Sequence, residues 1–329
     1  MQLTPAPTLA PIGILKSGSP MLNTIEKPLQ TAVTLPPRSV FTTSRDGLRL
    51  HARVFGPEFS PHLPVICLPG LARTHLDFLE LATALADAPT RPRRVVALDY
   101  RGRGLSDYDS DWTHYDIRIE LDDVMQQLAA LGIGHGIFVG TSRGGLLTMA
   151  MAAARPAMIK GAVLNDIGPV IEAAGLIRIR GYIGKLPQPQ SYAEAANILM
   201  RFFGAQFTAF GPGQWEMMAR RTWKEQEGKL VTDYDPQLMK TLEILDLEAP
   251  LPVLWPYFDG LKHVPMLVIR GGNSDLLSPA TLVEMGQRHP DCATHTLPGQ
   301  GHAPMLGSAD VVVRVNRLIA KAEKKAEKP

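Results

Sequence analysis

A serine hydroxyl attacks a carbonyl carbon only when a base removes its proton and nearby dipoles accept the charge that develops on oxygen. In IFVGTSRGGLLTMAMAAA, Ser142 stands between Gly140 and Gly144, with β-forming residues before it and helix formers after. So abrupt a turn needs glycine on both sides, because a Cβ there would clash, and it forces the central residue into strained backbone. The strain projects the hydroxyl at a helix N-terminus, where unpaired N–H groups favour negative charge. G-x-S-x-G also fits a glycine-rich turn with a capping serine; the strand before and the helix behind are what favour a nucleophile.

Among nine histidines, His302 is the candidate base, because LPGQGHAPML places it in a glycine-bounded loop just after an apparent strand. His51 falls in an N-terminal hairpin, His62 before a strand and His75 at a helix start, and each of these reads as structural. The candidate acid is Asp275 in LVIRGGNSDLLSP, on a turn that follows the strand VPMLVIR, with Ser278-Pro279 free to cap the next helix instead. The order along the chain is then Ser, Asp, His.

These three residues need a scaffold that brings distant strand ends together. RSVFTTSRDGLRLHARVFGP has period-two patterning around Asp46-Gly47, a hairpin signal. After it, short β-branched runs (VICLPG, RRVVALDYRG, GIFVGTSRGG, KGAVLNDIGP, VPMLVIRGGNSD, ATHTLPGQGH) alternate with helical stretches. Continuous apolar strands separated by helices predict an α/β fold with a mostly parallel sheet covered on both faces, entered through an antiparallel hairpin.

From 168 to 262 the alternation stops. Helical windows such as YAEAANILMRFFGAQ and PQLMKTLEILDL fill this stretch, which is too long for a structureless loop and is therefore expected to be an inserted helical cap. Its Trp215, Met218, Trp223 and Trp255 could line an apolar substrate pocket, and Arg178, Arg180, Arg220 and Arg221 could meet an acidic substituent. The plainer reading makes the aromatic and methionine side chains the core of the cap and leaves the arginines in solvent. The catalytic core then comprises 38–167 and 263–320. Residues 1–37, with seven prolines and three charged residues, read as an extended, weakly ordered segment, with Met21 an alternative start, and 321–329 as a charged tail that frays from a helix.

The bulk properties narrow the function. Thirty-four Lys plus Arg against 32 Asp plus Glu leave a net charge of +2, which gives no global field for gripping nucleic acid or an anionic membrane. No apolar run is long enough to span a bilayer, and the first residues lack the pattern of a secretory signal, so the expectation is a soluble, cytoplasmic protein. Two cysteines, Cys67 and Cys292, cannot make a disulfide scaffold or a four-thiolate zinc site. No metal-ligand spacing is evident, no cofactor is called for, and the oligomeric state is not encoded in any motif.

These residues resemble the α/β-hydrolase superfamily over roughly 38–320, the inserted stretch excepted. Besides GTSRGG, Asp275 and His302, LDYRGRGLSD is similar to the family's strand-four turn and CLPGLART to its oxyanion loop. The resemblance implies an eight-stranded sheet and an oxyanion hole made by the backbone N–H groups of Leu71 and Arg143. Many members have His-Gly where this chain has Pro69-Gly70, so a side-chain hydrogen bond that organises the loop is missing. Arg143, where an uncharged residue is common, is expected to pair with a carboxylate. Asp166, at the end of the strand after the nucleophile strand, occupies the position where some members carry their acid. Asp275 is favoured over it as the commoner position, since Asn165-Asp166-Ile167-Gly168-Pro169 also suits a structural turn. The expected chemistry is cleavage of a small-molecule carboxylic ester through an acyl-enzyme. Lactone, thioester or carbon–carbon bond hydrolysis and haloperoxidase-type perhydrolysis are alternatives within the fold, and a non-catalytic ligand receptor is one outside catalysis.

Overall fold

Strands β1 (Arg38–Thr43) and β2 (Arg49–Phe55) pair antiparallel across the Asp46-Gly47 turn, where Gly47 takes a φ of +93° that a side chain would oppose. The computed structural model describes residues 36–327 together with Gln2; the extended segment expected over 1–37 otherwise lies outside the described residues. The chain continues through β3 (Val65–Leu68), α1 (Leu79–Ala86), β4 (Val95–Leu98), α2 (Ile117–Ala130), β5 (Gly136–Thr141), α3 (Arg143–Ala154) and β6 (Ile159–Asn165). An insertion follows, made of α4 (Ala173–Tyr182), α5 (Tyr192–Phe203), α6 (Pro212–Arg220), β7 (Trp223–Gln226), β8 (Lys229–Thr232), α7 (Lys240–Glu243) and α8 (Trp255–Asp259). The chain then returns through β9 (Met266–Gly271), α9 (Pro279–Arg288), β10 (Cys292–Leu297) and α10 (Ala309–Ala326).

The main sheet has eight strands in the order β1-β2-β4-β3-β5-β6-β9-β10, parallel from β4 onward. Successive residues of a strand face opposite sides, and both sides are buried. Ile66, Leu68, Val96, Leu98 and Phe138 join one core cluster with Val124 and Leu128 of α2, Leu147 and Met151 of α3, and Met285 of α9. Val65, Cys67, Val95, Ala97, Ile137 and Val139 join the other, with Leu81 and Leu85 of α1 and Val311, Val315 and Ile319 of α10. This alternation is why the strands read in the sequence as unbroken apolar runs.

The insertion is less purely helical than its sequence suggests. WKEQ and KLVT form a two-stranded hairpin around Glu227 and Gly228, both at positive φ. The signal was a two-residue loop ending in glycine, but four-residue strands rich in charge gave no alternation to read. Ala195, Leu199, Phe203, Trp215, Ala219, Trp223 and Leu230 make a separate small core, whereas Ile179, Tyr234, Leu238 and Phe258 pack into the sheet's own cluster. At the other end, α10 runs on through Ala326, and Glu323 is no solvated tail residue. Its carboxylate accepts from the buried Arg93 at 2.8 Å and from the Leu63 N–H at 3.2 Å.

Candidate active site

The end of β5, the start of α3 and the loops after β6 and β10 converge on one point. Ser142 sits between β5 and α3 with φ 51° and ψ −113°, a conformation that costs about 1–3 kcal/mol for a residue with a side chain. Tight packing holds it there. A Cβ on Gly144 would run into the Leu68 carbonyl, one on Gly140 into the backbone of Gly144, and one on Gly145 into Ile167. The Ser142 N–H donates to the Asn165 carbonyl at 3.0 Å, tying the turn to the adjacent strand.

His302 Nε2 lies 2.9 Å from Ser142 Oγ, and His302 Nδ1 lies 2.8 Å from Asp166 Oδ2. A carboxylate only accepts, so the Nδ1 position carries the proton and Nε2 is left to accept from the serine hydroxyl. Asp166 is fully buried at a φ of 55°, and its oxygens also accept from the Gly271 N–H at 2.8 Å and the Ser274 hydroxyl at 2.6 Å. With three donors on one buried carboxylate, its orientation toward the imidazole is fixed.

Asp275, favoured from the sequence as the acid, does not take that place. Arg178 of α4 holds it in a two-point contact, Nε to Oδ2 at 2.6 Å and Nη2 to Oδ1 at 2.9 Å. Burial pushes the Asp275 carboxyl up, but the guanidinium outweighs it and keeps the group below the usual carboxylate range. The guanidinium that engages Asp275 comes from 97 positions away in the sequence, so spacing alone could not show which of the two carboxylates meets His302.

Arg143 follows Ser142 in the chain, and Leu71 lines the same cavity as Ser142. The backbone of Gly70 comes so close that a Cβ on it would be 3.8 Å from that of Ser142. Among the described residues, neither the Leu71 nor the Arg143 N–H donates to a protein acceptor. The Arg143 side chain turns away and donates to the buried Glu120 at 2.5 Å, the carboxylate pairing expected of it. Arg103, on the turn after β4, lies 2.8 Å from the other oxygen of Glu120 and donates Nε–H to the Leu71 carbonyl at 2.8 Å. The sequence singled out that turn but not Arg103 or Glu120, since nothing in the motif shows where their side chains end.

A cavity of about 120 Å³ opens over Ser142, walled by Ile179, Leu199, Phe203, Phe207, Phe210 and Met218 of the insertion and by Ala303–Leu306. Met218 is thus one of the residues that line this cavity. Trp215 and Trp223 are instead buried in the insertion's own core, and Trp255 stacks under Arg288 of α9 with the guanidinium 4.7 Å from its ring. Their bulk made them candidates for the pocket, and the same bulk makes them core. Arg73 and Arg221 do reach the cavity wall, but Asp77 and Glu80 pair with them, so their charges are already matched. Of the arginines proposed for an acidic substituent, Arg178 is taken by Asp275 and Arg220 pairs with Glu216 on the surface.

Other candidates find structural places. His51 and His75 both put Nδ1 2.8 Å from Asp99 Oδ2 in the buried turn after β4. Burial works against the Asp99 charge, yet the two imidazoles and the His75 N–H prevail and hold its pKa at about 2. Cys67 is buried in β3 with its thiol pushed well above the usual range by desolvation, and burial pushes Cys292 up to about 12, so neither supplies a thiolate at neutral pH. Among the described residues, no helix is long and apolar enough to cross a membrane.

A strained serine on a strand-to-helix turn, a histidine after the last strand and an eight-stranded sheet of this order define a hydrolase architecture. Residues 65–315 match the alpha/beta hydrolase family, to which the chain belongs. It is 31% identical over 280 residues to a 3-hydroxybutyrate-oligomer hydrolase of Cupriavidus necator, covering 82% of this chain and 92% of that protein. It is also 26% identical over 233 residues to a 2-(acetamidomethylene)succinate hydrolase of Mesorhizobium japonicum, covering 71% and 79%. An alpha/beta hydrolase structure from Novosphingobium aromaticivorans superposes with a TM-score of 0.80 at 39% identity, over 87% of this chain and 98% of that one.

Proposed function

We propose that this hydrolase cleaves carboxylic esters with a short, uncharged acyl group, through an acyl-enzyme on Ser142. The observation that carries the reading is the unbroken run of hydrogen bonds from Ser142 Oγ through His302 to Asp166, at 2.9 and 2.8 Å, beneath a cavity whose insertion side is walled by apolar side chains. In this reading His302 takes the hydroxyl proton as Oγ attacks the ester carbonyl, while Asp166 keeps the imidazole in the required tautomer and stabilises the imidazolium that forms. The carbonyl oxygen becomes an oxyanion within reach of the Leu71 and Arg143 N–H groups. Its collapse breaks the bond to the alcohol, which leaves with the proton from His302. Water then attacks the acyl-enzyme by the same route, with His302 as base, and frees the acid and Ser142. The insertion acts as the cap that selects the acyl group.

An engineered apolar cavity of about 150 Å³ is just large enough for benzene, so a space of this size suits an acyl chain of about four to six carbons. Because Arg73 and Arg221 are neutralised by Asp77 and Glu80, an uncharged chain fits the wall better than a free carboxylate. The ester linkage in the substrate named for the Cupriavidus necator relative supports the bond type. The test is a panel of p-nitrophenyl esters of graded acyl length. Turnover is expected to peak at short acyl chains and to fall by roughly a thousandfold or more in Ser142→Ala. Unchanged turnover in that variant would reject the proposal.

A further inference from the structure

The loop that offers the Leu71 N–H has no side chain of its own to hold it. Pro69 has no N–H and Gly70 no side chain, yet the Gly70–Leu71 peptide must keep one orientation if its N–H is to meet an oxyanion. Two side chains from the far end of β4 clamp the peptides on either side of it. Tyr100 donates its hydroxyl to the Pro69 carbonyl at 3.2 Å, and Arg103 donates Nε–H to the Leu71 carbonyl at 2.8 Å. The peptide that carries the Leu71 N–H is thus bracketed by two fixed neighbours.

Arg103 is itself held rigidly. Its side chain is fully buried between the rings of Tyr100 and Tyr115, at 5.6 and 5.3 Å, and its Nη1 donates to the Arg101 carbonyl at 2.5 Å. That same nitrogen lies 2.8 Å from Oε1 of Glu120, which is also fully buried. Glu120 Oε2 accepts from Arg143 Nε, and Arg143 Nη2 donates to the Tyr115 carbonyl at 2.8 Å. One carboxylate therefore joins the residue that fixes Leu71 to the residue whose own N–H is the second donor. Stability is a poor reason to bury such a group, since replacing a buried ion cluster by apolar residues is often neutral or stabilising. Arg103 Nη2 and Glu120 Oε1 are moreover both buried without a hydrogen-bond partner, so the pair is held by charge and the guanidinium is placed for its Nε contact at the expense of full satisfaction.

We infer that Arg103, held by Glu120, is the positioning residue of the oxyanion hole. This rests on Ser142 being the nucleophile. It also accounts for how a Pro69-Gly70 loop can present a fixed donor.

Arg103→Lys tests it, because lysine keeps the charge beside Glu120 but loses the rigid fork whose separate nitrogens are aimed at the Leu71 carbonyl and at Glu120. With p-nitrophenyl butyrate, kcat is expected to fall about 10- to 100-fold with KM within about twofold, a displaced donor costing less than the roughly 100- to 1,000-fold of a deleted one. Butylboronic acid, which forms a tetrahedral adduct with the serine, is expected to inhibit more weakly by the same factor, while inhibition by butyrate stays unchanged. The melting temperature reports folding. A native kcat in Arg103→Lys overturns the inference, and so does a parallel loss of kcat, boronate inhibition and butyrate inhibition with a lowered melting temperature, which would mark a purely structural role. Ser142→Ala separates the two claims. If it stays active, the nucleophile reading fails; if it is dead while Arg103→Lys is native, only the positioning role fails.

Discussion

Replacing Asp166 by Asn removes no volume, yet it is expected to cost nearly as much as losing the histidine. Asp166 accepts from three donors: the His302 ring, the Ser274 hydroxyl and the Gly271 N–H. An asparagine has one oxygen to offer. If that oxygen faces His302 and Ser274, the NH2 meets the Gly271 N–H; if it faces Gly271, the NH2 meets the imidazole, whose tautomer must switch. The switched ring carries its proton on Nε2 and can no longer accept from Ser142. An aspartate-to-asparagine change in such a triad lowers kcat by about 10,000-fold, or about 5.5 kcal/mol. Asp275→Asn weakens a part-buried pair with Arg178, whose side chains are 22% and 29% exposed, and leaves the contacts among Ser142, His302 and Asp166 in place, so it should change kcat less than about fivefold. The assay is steady-state hydrolysis of p-nitrophenyl butyrate by both variants, with circular dichroism to confirm that each is folded. Near-normal turnover in Asp166→Asn together with collapse in Asp275→Asn would refute the reasoning.

Other outcomes follow from the packing around the site. Phe210→Ala, at the wall of the cavity, should shift the preferred acyl chain toward longer esters, read from kcat/KM across the same panel. Because Asp99 has a pKa of about 2 in the fold against an ordinary 3.8, its contribution is complete above about pH 4 and drains away as pH falls through that window. Between about pH 5 and about pH 3 the stability gap between the wild type and Asp99→Asn should narrow by about 1 kcal/mol, measured by urea unfolding. Truncation before Glu323 leaves the buried Arg93 without its carboxylate and should destabilise the fold by about 3–5 kcal/mol, visible as a lowered melting temperature.

How far the sequence carried varied with the range of the interaction involved. The GTSRGG turn, the Asp46-Gly47 hairpin and the two-faced strands are local patterns, set by glycine sterics and side-chain alternation, and they read correctly from residue types alone. His302 stands out in the sequence by loop chemistry that is local too. Asp166 and Asp275 both end a strand and both suit a turn, and only Arg178, delivered from α4 by tertiary packing, separates them. For the three tryptophans the sequence left pocket and core both open for a related reason: a large apolar side chain marks burial, but not whether a ligand or the protein does the burying. Arg103 and Glu120 were invisible because their roles depend on a carbonyl and a guanidinium from other parts of the chain.

The turn after β4 also bonds to the insertion through the backbone. Gly104 N–H donates to the Asp233 carbonyl at 3.0 Å, and Asp235 N–H donates to the Gly102 carbonyl at 2.8 Å, on either side of Arg103 and Tyr234. Any attempt to graft new specificity onto this scaffold meets that seam. A chimaera that exchanges residues 173–232 takes the cavity-lining helices and keeps the residues of both backbone bonds, though it removes the Lys224 side chain that donates to the Gly104 carbonyl at 3.3 Å. One that runs on to residue 262 replaces one strand of the seam, and so disturbs the support of the charge-stabilising loop while meaning only to change the substrate.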